Sequence, residues 1–233
     1  QMVGVEALLR WSHPQRGMVP PGEFIAAAED SGLIVPLGQW VLRQACMQLT
    51  AWQQVPHCAS LQLAVNVSAR QFRQTDFAQQ VIAQVQQAGA PAHRLKLELT
   101  ESLVLEDVQD SIAKMHQLRT KGVRFSVDDF GTGYSSLAYL TRLPLDQLKI
   151  DQSFVRNLGA KQTDDVIVQT IIGMARNLEL DVIAEGVETA EQRDTLARYG
   201  CHYFQGYLLG HPMPVQELEA LLARDPAAAG LEA

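Results

Sequence analysis

The sequence predicts an α/β chain built on parallel strands, and three observations point there. Short β-rich runs alternate with longer segments of helical period, the pattern of repeated strand-then-helix units. Polar, chemistry-bearing residues recur where the β-rich runs stop, as they do when parallel strands end on one face. No Gly-rich dinucleotide loop follows the first strand, which weighs against a Rossmann sheet.

Taken in order, the expected strands are Met2 to Leu9, Leu61 to Val67, Leu95 to Thr100, Val123 to Asp128, Gln147 to Ile150, Asp181 to Ala184 and His202 to Gln205. Arg119 and Lys121 close one helical segment, and Gly122 follows as its stop. Thr163 to Leu178 forms another, with Val166, Ile167, Thr170, Ile171, Met174 and Leu178 on one stripe. Thr189 before Ala190, Glu191 and Gln192 reads as an N-cap with a capping box. Seven strands are visible, one fewer than a (β/α)8 barrel needs, so the count alone leaves an open sheet and a barrel both standing. The tail Arg224 to Ala233 reads as a frayed end.

Composition narrows the function classes. Of 233 residues, 47% are apolar and 19% charged, enough for an ordinary core and too few charges for a disordered chain. No apolar run approaches the roughly eighteen residues of a spanning helix. The net charge of −7 argues against a nucleic-acid duplex binder, which carries a basic stripe. A phosphate-bearing ligand is still compatible if metal ions supply positive charge. Cys46, Cys58 and Cys201 form no Cys-x-x-Cys pair, so a disulfide framework or thiolate zinc site is not expected, and a reducing compartment fits. Gln1 in place of an initial Met reads as the start of an excised or processed piece.

The candidate site follows from the strand ends. Glu6 lies in Val-Glu-Ala-Leu, Asn66 ends Leu-Ala-Val-Asn, and Glu98 sits in Leu-Lys-Leu-Glu-Leu-Thr. Asp128 and Asp129 follow Phe-Ser-Val, Lys149 lies in Leu-Lys-Ile-Asp, Glu185 follows Val-Ile-Ala, and Gln205 follows Tyr-Phe. If the strands close into a parallel barrel, five carboxylates, two amides and one ammonium reach one mouth. Such crowded carboxylates repel, and their oxygens suit hard divalent cations such as magnesium or manganese. Adjacent strand residues point to opposite faces, so Asp128 and Asp129 share a site only if the strand ends there. Paired metals are the usual device for in-line displacement at phosphorus. Each acidic residue also has the plainer reading of a helix cap or a solvated turn. Gly131-Thr132-Gly133 is no P-loop, since no Gly-Lys-Ser/Thr follows. Two glycines there permit positive φ, for a gating loop or an ordinary tight turn. His13, His57, His93, His116, His202 and His211 lie off these blocks and are assigned no metal role.

These blocks resemble the EAL-domain cyclic-di-GMP phosphodiesterases. The match runs through Glu6-Ala7-Leu8-Leu9-Arg10-Trp11, Asn66-Val67-Ser68, Glu98-Leu99-Thr100-Glu101 and Asp128-Asp129-Phe130-Gly131-Thr132-Gly133-Tyr134-Ser135-Ser136. It continues through Lys149-Ile150-Asp151, Glu185-Gly186-Val187-Glu188-Thr189 and Gln205-Gly206-Tyr207, in family order from residue 6 to about 214. The resemblance implies a TIM-like (β/α)8 barrel whose first strand is antiparallel to the rest. It implies hydrolysis of cyclic di-GMP to linear pGpG with two divalent cations, Mg2+ or Mn2+. It implies metal ligands at Glu6, Asn66, Glu98, Asp128, Asp129 and Glu185, with Asp128 bridging both ions. Glu6 counts with the catalytic residues. Lys149 is implied to lie against the attacking water, Glu185 to orient or deprotonate it, and Gln205 to hydrogen-bond in the same shell and contact substrate. Arg10 is implied to contact substrate phosphate, and Glu101 and Glu188 to give support, Glu101 by holding the loop after Asp129 that carries Gly131 and Gly133.

One departure matters. The family has a helix and a strand before the Glu-Ala-Leu block, and here only Gln1 to Val5 precede it. The first, antiparallel strand is therefore expected to be missing. The expected organisation is an N-terminally truncated barrel over 1–223 with a tail at 224–233. The family setting implies a bacterial cytoplasmic chain, or one on the cytoplasmic face of a membrane-anchored parent, with an upstream regulatory or cyclase domain. It implies no DNA or RNA duplex partner and no membrane contact, and it allows a homodimer that no long exposed apolar stripe in the sequence settles. Two other functions compete. One is a non-catalytic cyclic-di-GMP receptor module, or a fragment inactivated by truncation. The other is a lyase using Lys149 as a Schiff-base amine, disfavoured because nearby carboxylates keep that lysine protonated.

Overall fold

The computed structural model describes residues 1–132 and 137–224, and the chain divides into two compact units. The strands are β1 (Gly4–Ala7), β2 (Trp11–His13), β3 (Gly17–Val19), β4 (Gln62–Asn66), β5 (Leu95–Thr100), β6 (Arg124–Phe130), β7 (Gln147–Ile150), β8 (Asp181–Ala184) and β9 (Tyr203–Phe204). All seven expected strands are present, with ends moved by a few residues.

The first unit comprises Gln1–Leu97, His116–Arg124 and Met213–Ala233. There β1 pairs parallel with β4 in a register that sets Glu6 against Ala64. The next strand in order is β5, which enters this unit through Leu95–Leu97. The core forms where the helix Ile34–Trp52 lays Leu42, Cys46, Leu49 and Trp52 inward, with Leu63 and Val65 of β4 also buried. Trp52 donates its indole N–H to Glu219 at 2.8 Å, and Gln48 donates to the same carboxylate at 3.1 Å. These bonds tie the helix Val215–Arg224 to this unit, and its Leu222 is fully buried.

Two features of this unit were not legible in the sequence. The antiparallel hairpin β2–β3 joins two three-residue strands, too short to register as β-rich runs. His13 Nδ1 accepts the backbone N–H groups of Gln15 and Arg16 and so shapes its turn, while Trp11 meets Phe24 edge-on. The second feature is an exposed apolar stripe of Leu33, Trp40 and Met47 at seven-residue spacing along Ile34–Trp52. That helix carries a single charge, Arg43, so no polar face marks the stripe in the sequence.

The second unit comprises Glu98–Met115 and Phe125–Pro212. Here the end of β5 leads to β6, and β6–β7, β7–β8 and β8–β9 all pair parallel. Phe125, Val127, Leu148, Ile150, Val155 and Val168 are buried at its centre. The helix Gln162–Asn177 lies within a residue of its expected bounds at both ends, and its Val168, Ile171, Ile172 and Ala175 are buried. Val166, placed on the expected apolar stripe, is instead exposed. Thr189 caps the helix Ala190–Tyr199 with the reciprocal bonds of a capping box, as its spacing predicts. Gly133 and the block Tyr134-Ser135-Ser136 lie outside the described residues, as does nearly all of the 224–233 tail.

Among the described residues Cys46, Cys58 and Cys201 are buried free thiols. Burial pushes the Cys46 and Cys201 thiols up to about 11, which leaves them inert near neutral pH. No helix among the described residues is long and apolar enough to cross a membrane.

Candidate metal and phosphodiester site

In the second unit the site is organised by Lys149. Its side chain is 1% exposed, yet it carries a charge, and three carboxylates surround it. Nζ lies 2.7 Å from Glu98 Oε2, 2.7 Å from Glu185 Oε1 and 3.2 Å from Asp128 Oδ1. These partners come from the end of β5, from β6 and from the residue that follows β8. The β7–β8 register pairs Lys149 with Ile183 and Ile150 with Ala184. The Glu185 N–H then donates to the Ile150 carbonyl at 3.1 Å, which turns Glu185 beside the lysine. An ammonium has three donors, and each meets one carboxylate of a different chain segment.

The sequence expectation that the strand ends at Asp128 is corrected here. β6 runs on to Phe130, and its register with β7 shifts between Val127 and Phe130. Asp129 takes up the irregularity with φ of +53°, uncommon for a residue other than glycine. This local turn of the backbone, not a strand terminus, lets adjacent aspartates serve one site. Asp128, Asp129 and Glu185 each offer an oxygen, and these oxygens lie within 4.8 Å of one another.

Charge does not balance within this cluster. Among the contacts of the described residues, four carboxylates, Glu98, Asp128, Asp129 and Glu185, gather with one ammonium. Burial, then the charges of Asp128 and Asp151, push the Asp129 carboxyl above the ordinary range, and Lys149 opposes them. An all-oxygen donor set with surplus negative charge fits a hard divalent cation.

The loop after Asp129 is held from below. Glu101 is buried, and its Oε2 accepts the Gly131 N–H at 3.1 Å. Gly131 has φ of +95°, a conformation that favours glycine. Gln205 follows β9, donates its N–H to the Ala184 carbonyl at 2.8 Å and accepts the Val187 N–H at 3.0 Å. Glu188 is exposed, and its N–H donates to Gln192 Oε1 at 2.8 Å.

The first unit holds a separate pair. Glu6 on β1 and Asn66 at the end of β4 meet through Asn66 Nδ2 and Glu6 Oε1 at 2.5 Å. Arg10 is exposed, and its guanidinium donates to the Leu9 carbonyl at 2.9 Å.

Sequence reasoning gave Asp151 no role beyond its place in Lys149-Ile150-Asp151. Asp151 lies one residue past β7 and caps the helix Gln152–Arg156, so strand alternation carries no signal for it.

Parallel strands that deliver a buried lysine and a knot of carboxylates to their ends define an α/β protein of TIM-like class with an acidic, cation-suited site. Comparison with known proteins places it further: the EAL domain family matches residues 1–212, and the chain belongs to that family. It is 48% identical over 223 residues to the bifunctional diguanylate cyclase/cyclic di-GMP phosphodiesterase MucR of Pseudomonas aeruginosa, covering 95% of this chain and 32% of that protein. It is 45% identical over 218 residues to the cyclic di-GMP phosphodiesterase NbdA of the same organism, covering 94% and 28%. The chain thus spans about a third of the length of these relatives. The solved phosphodiesterase of MucR in complex with c-di-GMP superposes with a TM-score of 0.90 at 46% identity, covering 94% of this chain and 88% of that one. The EAL enzyme Bd1971 with cAMP and cyclic-di-GMP bound gives a TM-score of 0.89 at 34% identity, covering 94% and 60%. The fold is the TIM-like one these structures share.

Proposed function

We propose that this chain hydrolyses cyclic di-GMP to linear pGpG with the help of two divalent cations, Mg2+ or Mn2+. The observation that carries the reading is the buried Lys149 ammonium ringed by Glu98, Asp128 and Glu185, with Asp129 adding a further carboxylate. Glu6, Asn66, Glu98, Asp128, Asp129 and Glu185 are the residues proposed to hold the ions. When bound, such ions supply Lewis acidity at the phosphoryl oxygen and lower the pKa of a water.

The chain's own residues do the rest. Lys149 fixes three carboxylates at once and keeps a positive charge beside the incoming water, which favours its deprotonation. Glu185, already aimed at Lys149, orients that water and takes its proton. Gln205 hydrogen-bonds in the same shell, and Arg10 offers a guanidinium suited to phosphate. Glu6 completes the ligand set with Asn66. Glu101 keeps the Asp129 loop in place through Gly131, and Glu188 supports the segment that follows Glu185. In the reaction the water oxygen bonds to phosphorus, one ester P–O bond breaks, and the leaving ribose oxygen gains a proton.

The test is product analysis of the chain with cyclic di-GMP and Mn2+, with and without chelator, beside Glu6→Ala. pGpG that disappears with chelator and with Glu6→Ala supports the reading. Saturable dinucleotide binding with no product would replace it with a receptor function.

A further inference from the structure

We infer that His13 is a positioning residue for Arg10: its neutral imidazole closes the hairpin that supports the Arg10 segment, so the hold on a phosphodiester weakens when His13 takes up a proton. The inference rests on the phosphodiester reading above and adds to it a residue that reading does not use.

Arg10 ends the three-residue segment between β1 and β2. On one side β1 is fixed by its pairing with β4. On the other side the support is β2, which pairs with β3 in a two-stranded sheet of its own. Two strands of three residues each make a hairpin that is marginal by itself. What closes its turn therefore decides how firmly the segment is held. The register sets His13 opposite Gly17 across the loop Pro14-Gln15-Arg16. Pro14 suits the first loop position, and Gly17 takes the left-handed conformation, with φ of +69°, that ends such a loop.

His13 supplies the closure. Its Nδ1 accepts the Gln15 N–H at 3.1 Å and the Arg16 N–H at 3.2 Å. A backbone N–H only donates, so Nδ1 carries no hydrogen and the ring hydrogen stands on Nε2. Trp11 meets the imidazole edge-on at 5.2 Å between ring centroids and meets Phe24 at 5.8 Å. The ring is thus linked through Trp11 to the helix Pro21–Ser31 that carries Phe24. The charged groups that the turn and this helix bring to the same end are Arg16 and Glu23, which pair with each other at 2.5 Å. Gly17–Val19 brings none. Among the described residues no carboxylate is paired with His13. Protonation would set an Nδ1–H against two N–H groups, with no nearby free anion to offset the charge. The turn then opens, β2 loses its partner strand, and Arg10 is anchored from β1 alone.

The test compares His13→Asn and His13→Ala with the parent chain. Asn offers a side-chain oxygen to the N–H two residues on and does not titrate, whereas Ala offers no acceptor. KM and kcat for cyclic di-GMP are measured with saturating Mn2+ from about pH 8 to about pH 5, with thermal melts in parallel. The other titrating groups are shared by all three chains, so differences between them report on His13. At the upper pH, His13→Asn is expected to keep a parent-like KM and His13→Ala to raise it about 3–10-fold. On acidification the parent KM should climb toward that of His13→Ala, while His13→Asn lags behind by the same factor and kcat keeps one profile in parent and Asn variant. Where His13→Ala does not fold, the comparison of parent with His13→Asn decides alone. Coincident KM profiles in parent and His13→Asn, or a His13→Asn as weak as His13→Ala at the upper pH, would overturn the inference. A parent chain that forms no pGpG would overturn it together with the functional reading, whereas a failure confined to the variants leaves that reading standing.

Discussion

The two regions that carry candidate ligands solve the same electrostatic problem differently. In the second unit, Glu98 and Lys149 are almost wholly buried, and the carboxylates close on an ammonium that has one donor for each of three of them. In the first unit, Glu6 and the neutral Asn66 are joined by a hydrogen bond near solvent. A buried charge must bring its own partner, because burial without one costs several kcal/mol. A charge near water is compensated by water. The lesson is that ligand positions of similar chemistry can carry very different weights in stability.

Substitutions sharpen this contrast. The largest expected effect is at Lys149. Lys149→Met leaves three carboxylates facing each other without their cation, and should cost about 3–5 kcal/mol in chemical denaturation. Turnover should fall by about 10²–10⁴. Glu101→Ala comes next, because it strands the Gly131 N–H beneath the loop. A loss of about 1–3 kcal/mol is expected, while Glu101→Gln, whose amide oxygen can still accept, should lose much less. Glu6→Ala should move stability by only about 0.5 kcal/mol yet abolish pGpG formation, which separates function from stability in the first unit.

Asp129→Asn is expected to act in the opposite direction. The Asp129 carboxyl is pushed above its ordinary range in the folded chain. A raised carboxyl contributes stability below its unfolded value and loses that contribution as pH rises through its folded value. At neutral pH, without metal, the ionised Asp129 is thus a net burden. Asn removes the charge and tolerates positive φ. Metal-free Asp129→Asn should therefore melt slightly higher than the parent at pH 7, with the difference shrinking toward acid pH, while turnover is lost. A lower melting temperature would contradict the charge argument.

Much of this was legible in the sequence because period and punctuation are local signals. The runs Leu95 to Thr100, Gln147 to Ile150 and Asp181 to Ala184 became strands with those bounds. The Thr189 box did what its spacing implied. What was not legible depended on short or non-local features. The Trp11–His13 hairpin is below the length at which alternation can be read. The bulge at Asp128–Asp129 leaves no composition signal, since two aspartates at a strand end equally suggest a turn. The ring of carboxylates about Lys149 was implied as a set of strand ends, but its burial was not, because Leu-Lys-Ile reads equally well as a strand with a solvent-facing lysine.

The most direct test of the account is the number of Mn2+ ions bound per chain at saturation, counted with cyclic di-GMP present under conditions that prevent turnover. Two ions per parent chain are expected, with one lost in Asp129→Asn. A chain that binds the dinucleotide but takes up no Mn2+ would contradict the account.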